Sequence, residues 1–173
     1  SYNKGTVLRY GENPHQSATF FGDLDRMFEK LHGKDISYNN MLDIDAALNL
    51  IEEFDGEPAF AILKHNNACG VAVRPTLVEA YTTALSCDPV SAFGGVLICN
   101  RVIDAATALK MTKLFMDPVI ALRHHSPSLS PLQTQTNPIL LLFKHPTSAA
   151  KQFRSSLTAV PLQDCATTLT PPA

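Results

Sequence analysis

The sequence predicts an α/β domain, and three observations predict it. Short apolar runs of strand length, Ala59-Phe60-Ala61-Ile62-Leu63 and Val96-Leu97-Ile98-Cys99, alternate with stretches of about ten residues whose apolar positions repeat at helix spacing. The chain has 173 residues, 45% of them apolar, enough to bury one real core. Beyond residue 125 the texture changes: of the 48 residues from Ser126 to Ala173, 20 are Ser, Thr or Pro, so the fold is expected to end in an irregular segment.

The elements follow in order. Residues 23–31 carry a short helical pattern with Asp23 as its cap. In residues 43–54, Ile44, Ala47, Leu48, Ile51 and Phe54 repeat at helix spacing, with Asp43 placed to cap the start. Residues 58–64 form the first apolar strand, opened by Pro58. Residues 65–75, rich in turn formers, read as a loop. Thr76-Leu77-Val78-Glu79 is a capping box that opens a helix to about Cys87, which Asp88-Pro89 ends. Ser91-Ala92-Phe93-Gly94-Gly95 is a turn into the strand Val96 to Cys99. Asp104 caps a further helix to about Phe115, Val119-Ile120-Ala121 reads as another strand, and Ile139 to Phe143 is the firm strand of the last segment. Strands alternating with helices argue for α/β architecture.

Composition narrows the function. The net charge of −2 and the 17% of charged residues give no global signal for nucleic acid or an anionic membrane. No apolar run approaches a membrane span, and residues 1–20 show no secretory pattern. The chain starts at Ser1, as expected of a piece cut or processed from something longer. Cys69, Cys87, Cys99 and Cys165 show no paired spacing, which reads as free thiols in a cytosolic protein. Cys69 is either a nucleophile or a small residue filling a tight turn before Gly70. No metal is expected: His65 and Cys69 have H-x₃-C spacing without a second pair, and the His-x-Glu with Pro-Cys-x-x-Cys pattern of zinc deaminases is absent.

Two polar clusters carry the candidate chemistry. One is Leu8-Arg9-Tyr10-Gly11-Glu12-Asn13-Pro14-His15-Gln16, the other Lys64-His65-Asn66-Asn67-Ala68-Cys69-Gly70 at the end of an apolar strand, where α/β proteins place ligands. Neighbouring side chains of a strand point to opposite faces, so Lys64 and His65 meet one ligand only if the backbone turns there. A histidine shuttles protons near neutral pH, and a lysine beside it holds an anion or stabilises developing negative charge. The alternative is an exposed Lys and a His that bonds its own loop. Arg9 offers a planar fork for phosphate or carboxylate and Tyr10 a ring with a hydroxyl; the alternative is a surface ion pair beside a core tyrosine. The glycines of Ser91 to Gly95 fit no phosphate-loop or dinucleotide pattern, and either let backbone approach a ligand or simply turn the chain.

Taken together, these clusters resemble the two signatures of the AICAR transformylase family. Ser37-Tyr38-Asn39-Asn40, Asp43-Ile44-Asp45-Ala46-Ala47 and Asp88-Pro89-Val90-Ser91-Ala92-Phe93-Gly94-Gly95 match the same family in the same order. The resemblance is continuous from about Val7 to Phe115 and resumes at Asn137 to Phe143 and Lys151 to Leu157; Ala68 stands where many members have proline. It implies a cytidine-deaminase-like three-layer α/β/α subdomain, with residues 1–122 as the first transformylase subdomain and 123–173 as its weakly matching C-terminal segment. It also implies a cytoplasmic enzyme of purine biosynthesis, usually fused behind an IMP cyclohydrolase domain and dimeric at full length.

The implied reaction moves a formyl group from 10-formyltetrahydrofolate, a co-substrate, to the 5-amino group of AICAR ribonucleotide. His65 is then the general base and Lys64 the stabiliser of the intermediate. Arg9 and Tyr10 bind AICAR, Gly94 approaches the nucleotide through its backbone, and Asp117 falls where the family has an acidic nucleotide contact. The family site is assembled from two subdomains, and the residues that hold folate are expected outside this chain. The chain alone is therefore expected to show little turnover. A non-catalytic nucleotide-binding or assembly module that needs a partner chain is the second reading.

Overall fold

The structure, a computed structural model, describes residues 5–11, 13–21, 27–113, 119–122, 127–133, 138–144, 151–153 and 162–164. Its centre is a six-stranded sheet of β3 (Phe28–His32), β4 (Ala59–Lys64), β5 (Asn67–Val73), β6 (Val96–Cys99), β7 (Val119–Leu122) and β8 (Ile139–Phe143), in the order β3-β8-β7-β6-β4-β5. β6, β7 and β8 run parallel, while β4 is antiparallel to both its neighbours and β3 antiparallel to β8. Two short antiparallel pairs lie outside this sheet: β1 (Gly5–Val7) with β2 (Thr19–Phe21), and β9 (Lys151–Phe153) with β10 (Leu162–Asp164).

The apolar runs are continuous because the sheet is covered on both faces. Phe60, Ile62, Leu97, Cys99, Ile120, Leu122 and Leu140 pack with helix α2 (Leu77–Cys87) and helix α3 (Ala105–Met111). Their alternates Ala61, Leu63, Val96, Ile98, Val119, Ala121 and Leu141 pack on helix α1 (Tyr38–Ile51) through Ile44, Ala47 and Ile51. This is a three-layer α/β/α arrangement, and the predicted α/β class holds. Between the parallel strands lie α3, the 3₁₀-helix Pro127–Leu129 and the one-turn helix Ser130–Gln133, whose Leu129 and Leu132 join the same core.

Several expectations hold and others are corrected. The Thr76 cap opens α2, and Asp104 caps α3 by accepting from Thr107 N–H at 2.7 Å. α3 ends at Met111 rather than near Phe115. The helix expected over 43–54 begins at Tyr38: Ser37 and Asn40 form a capping box, so Asp43 is not the cap. Ser-x-x-Asn lacks the usual Glu or Gln, and Tyr38-Asn39-Asn40 has weak helix propensity, which hides the true start. Within the helix expected over 23–31, residues 28–31 are strand β3; Phe28 and Phe143 meet edge to face at 5.9 Å, and pairing with β8 overrides local propensity. Asp23, its expected cap, lies outside the described residues. Residues 67–73 of the expected 65–75 loop are strand β5. Among the described residues, no helix is long and apolar enough to cross a membrane.

Candidate active site

β4 ends at Lys64, and the chain reverses at once. Lys64 pairs with Asn67, leaving His65 and Asn66 as a two-residue hairpin loop with φ of 53° and 62°. Positive φ at both central residues is the type I′ pattern, whose twist matches that of flanking strands. Asn and His tolerate this region better than most side chains. The register then slips: Ile62 faces Gly70 while Leu63 faces Ala68, so Cys69 is the extra residue of a β-bulge. Cys69 thus sits in a bulge rather than a tight turn. The turn and bulge supply the backbone reversal that Lys64 and His65 need to serve one ligand. His65 is exposed and Lys64 half-buried.

Lys64 reaches the glycine turn directly. Its Nζ donates to the Phe93 carbonyl oxygen at 2.6 Å. Asp88 builds that turn: its Oδ1 accepts from Ser91 N–H at 2.9 Å and its carbonyl from Ala92 N–H at 3.1 Å. Hydrogen bonding from the Ser91 hydroxyl, then from the Ser91 N–H, holds the Asp88 carboxyl below the usual carboxylate range. The two glycines divide the labour. A Cβ on Gly95 would stand 2.7 Å from the Leu63 carbonyl oxygen, so this backbone seats against the end of β4. Gly94 has φ +68°, and a Cβ there would meet nothing within 4 Å. The segment is therefore a packed turn on one side and open backbone on the other.

The first cluster is tied to α1. Arg9 N–H donates to Ile36 O at 3.2 Å, and Tyr38 N–H to Tyr10 O at 3.1 Å, which lays Arg9-Tyr10 along the entry to the helix. The Arg9 guanidinium donates to Tyr10 Oη at 2.6 Å and stands 4.5 Å from the ring centroid. Among the described residues Arg9 forms no ion pair, so the surface-pair alternative finds no partner there. Gln16 closes the loop beyond, accepting from Asn13 N–H at 2.8 Å and from Asn13 Nδ2 at 3.0 Å; His15 is exposed on it. Asp117 lies outside the described residues.

α1 also touches the second cluster, through a residue the sequence reading assigned elsewhere. Asp43, buried at 6% exposure, accepts from Asn66 N–H at 2.7 Å. With its amide nitrogen turned inward, Asn66 donates further to Asp43 Oδ1 at 3.1 Å and to Leu42 O at 3.2 Å. The signal was present in the sequence: Asp43, Ala47 and Ile51 fall four apart, so a carboxylate stands on the buried stripe of the helix.

Other features bear on the chemistry. Burial pushes the Cys69 thiol up, and the charges of Asp88 and Asp43 outweigh Lys64, which argues against a thiolate nucleophile. Among the described residues no group of three or more His, Cys, Asp or Glu is placed to hold a metal ion. A cavity of about 320 Å³ opens between α1 and the edge of the sheet, lined mostly by apolar groups including Leu8, Phe28, Met41, Leu48 and Phe143. Leu8 of the first cluster lines it but Lys64, His65 and Gly94 do not, so it is separate from the lysine–histidine turn.

Comparison with known proteins gives the family of the chain. The family described as AICARFT/IMPCHase bienzyme matches residues 1–170. The chain is 54% identical to a bifunctional purine biosynthesis protein PurH of Bacteroides thetaiotaomicron over 164 residues, covering 95% of this chain and 32% of that protein. It is 46% identical to the protein of that name from Myxococcus xanthus, covering 89% of this chain and 31% of the relative. For Chlorobium phaeobacteroides the figures are 50%, 80% and 28%. The chain therefore spans about a third of the length of these curated relatives, and by the extent of the match it belongs to the AICARFT/IMPCHase bienzyme family.

Proposed function

We propose that this chain carries the acid–base centre and part of the nucleotide cradle of a formyl transfer in purine biosynthesis. The donor is 10-formyltetrahydrofolate and the acceptor the 5-amino group of AICAR ribonucleotide. The contact between Lys64 Nζ and the Phe93 carbonyl carries the reading, because it joins the lysine-histidine turn to the open backbone at Gly94. Membership of the family and the names of the relatives support it.

The roles follow from the chemistry. The AICAR amine is a poor nucleophile because its lone pair is shared with the imidazole and carboxamide. His65 takes a proton from that amine as its nitrogen bonds to the formyl carbon. The carbonyl oxygen gains negative charge, which the Lys64 ammonium stabilises. The bond from the formyl carbon to folate N10 then breaks, and the proton is returned to N10 with help from Lys64. One N–H is lost from AICAR and one gained by folate, so protons balance. Arg9 is suited to the nucleotide phosphate because its fork pairs with no carboxylate among the described residues and is steadied by Tyr10. Asp117 is retained as an acidic nucleotide contact. The same reading places the protein in the cytoplasm and its full-length relatives in homodimers.

Calorimetry with AICAR ribonucleotide and a formyl-transfer assay test this. The chain is expected to bind AICAR and turn over little, because it spans only a third of its relatives. Whatever turnover it shows should fall about 10²–10⁴-fold in His65→Ala. Equal activity in that variant would sink the catalytic assignment, and robust turnover that His65→Ala abolishes would overturn the expectation of inactivity. Binding without any turnover favours the second reading, a nucleotide-binding module that works with a partner chain.

A further inference from the structure

We infer that Asp43 is a positioning residue, whose carboxylate latches the His65–Asn66 turn and so sets where the His65 imidazole stands. The role of the imidazole rests on the formyl-transfer reading; the latch itself rests on geometry. His65 and Asn66 both adopt positive φ, at 53° and 62°, although neither is glycine. Such backbone is strained for a residue with a side chain and persists only where the surroundings over-determine it. Packing does not do this here, because His65, Asn66 and Asn67 are all exposed. Hydrogen bonds hold the tip. Asn67 Nδ2 donates to His65 O at 2.8 Å, and Asn66 N–H donates to Asp43 Oδ1 at 2.7 Å.

The second bond is the stronger kind. A carboxylate accepting from a backbone N–H is charge-assisted, and a buried charge is tolerated only when it is bonded in this way. Asp43 is rigid at its own end, since Ile44 and Ala47 beside it are 3% and 0% exposed on the buried face of α1. The helix is also fixed at its entry, where Tyr38 N–H bonds Tyr10 O. One rigid rod therefore carries the Arg9-Tyr10 cluster at its start and holds the His65 turn from its second turn. The latch sets the register between the two halves of the proposed site.

Nuclear magnetic resonance on the whole chain tests this, reading the exchange rate of the Asn66 amide and the shift of the His65 ring protons on adding AICAR ribonucleotide. In Asp43→Ala, Asn66 exchange should accelerate at least about tenfold and the AICAR-induced His65 shift should be lost. AICAR affinity should change less than about threefold. Asp43→Asn keeps an acceptor oxygen; it should retain the His65 response while Asn66 exchange still quickens. Asn100→Ala, which removes buried side-chain hydrogen bonds to Ala59 N–H, Phe54 O and Glu57 O, should lower stability and leave the His65 response intact. A folded Asp43→Ala with unchanged Asn66 exchange, or with an unchanged His65 response, overturns the inference. Should Asp43→Ala fail to fold, unchanged Asn66 exchange in Asp43→Asn overturns it. If AICAR moves the His65 ring in no form of the chain, the formyl-transfer reading fails, and Asn66 exchange still decides the latch.

Discussion

A methyl group added at Gly70 would stand 1.9 Å from the Ala84 carbonyl oxygen, whereas one added at Gly94 would meet nothing within 4 Å. The two glycines therefore predict opposite phenotypes. In Gly70→Ala, β5 and α2 must separate, since the obstacle is backbone and cannot rotate away. That change should cost more than about 3 kcal/mol in a denaturant melt. Gly94→Ala meets open space but keeps φ +68°, so it should cost only about 1 kcal/mol. If the nucleotide lies against that backbone, AICAR affinity should nevertheless fall at least tenfold in calorimetry. Unchanged affinity would remove Gly94 from the binding site. The sequence shows a glycine-rich turn at Gly94 and Gly95 but not that Gly95 is packed and Gly94 open, because that division depends on Leu63 arriving from another strand.

The helices and turns that carry the site are stabilised by groups distant in sequence, and this explains what was legible. Capping boxes and apolar runs are local, so α2, α3, β4, β6, β7 and β8 could be read from the chain. The hairpin could not, because β5 has small side chains at Ala68, Gly70 and Ala72 and becomes a strand by pairing with β4. Asp43 was misread because its partner is 23 residues away. Asn100 makes the same point within the fold. Its Oδ1 accepts from Ala59 N–H at 2.9 Å, and its Nδ2 donates to Phe54 O at 2.8 Å and Glu57 O at 3.0 Å. It thereby joins the exit of α1 to the start of β4 and the end of β6. Asn100→Ala should cost about 2–4 kcal/mol, since it leaves one N–H and two carbonyls without their partner. The Asp88 turn makes a pH prediction. Its carboxyl is depressed in the folded state by hydrogen bonds to Ser91. The stabilisation it gives is present above the unfolded carboxyl value of about 3.9 and is lost as pH falls through the lower folded value. Acidification should therefore speed exchange of the Ser91 amide relative to its intrinsic rate, and Asp88→Asn should show that faster exchange already at neutral pH.

At the scale of the whole molecule, the layer between the sheet and the α2–α3 face buries two groups that must lose protons at high pH. Tyr81 lies against Phe60 with ring centroids 5.1 Å apart, and burial pushes its hydroxyl up to about 12. Among the described residues its Oη finds no hydrogen-bond partner, although α2 presents it to the buried core. Cys99 on β6 belongs to the same core, and burial pushes its thiol up to about 12 as well. Both folded values lie above the unfolded ones, about 10 for Tyr and about 8.5 for Cys. The unfolded chain therefore binds fewer protons than the folded one in this range, and stability must fall as pH rises. The loss begins near the unfolded Cys value of about 8.5, deepens past the unfolded Tyr value of about 10, and levels off only above the folded value of about 12. Both ionisations therefore weaken the fold in the same direction at alkaline pH. Tyr81→Phe should shift the alkaline midpoint upward and, because the hydroxyl finds no partner among the described residues, leave neutral-pH stability within about 1 kcal/mol of the parent. Cys99→Ala should also blunt the alkaline loss but lower neutral stability by about 1 kcal/mol through the cavity it leaves. Unfolding followed by circular dichroism from pH 7 to 12 separates these outcomes. An alkaline midpoint unmoved by both substitutions would mean that this face of the sheet opens to solvent before either group ionises.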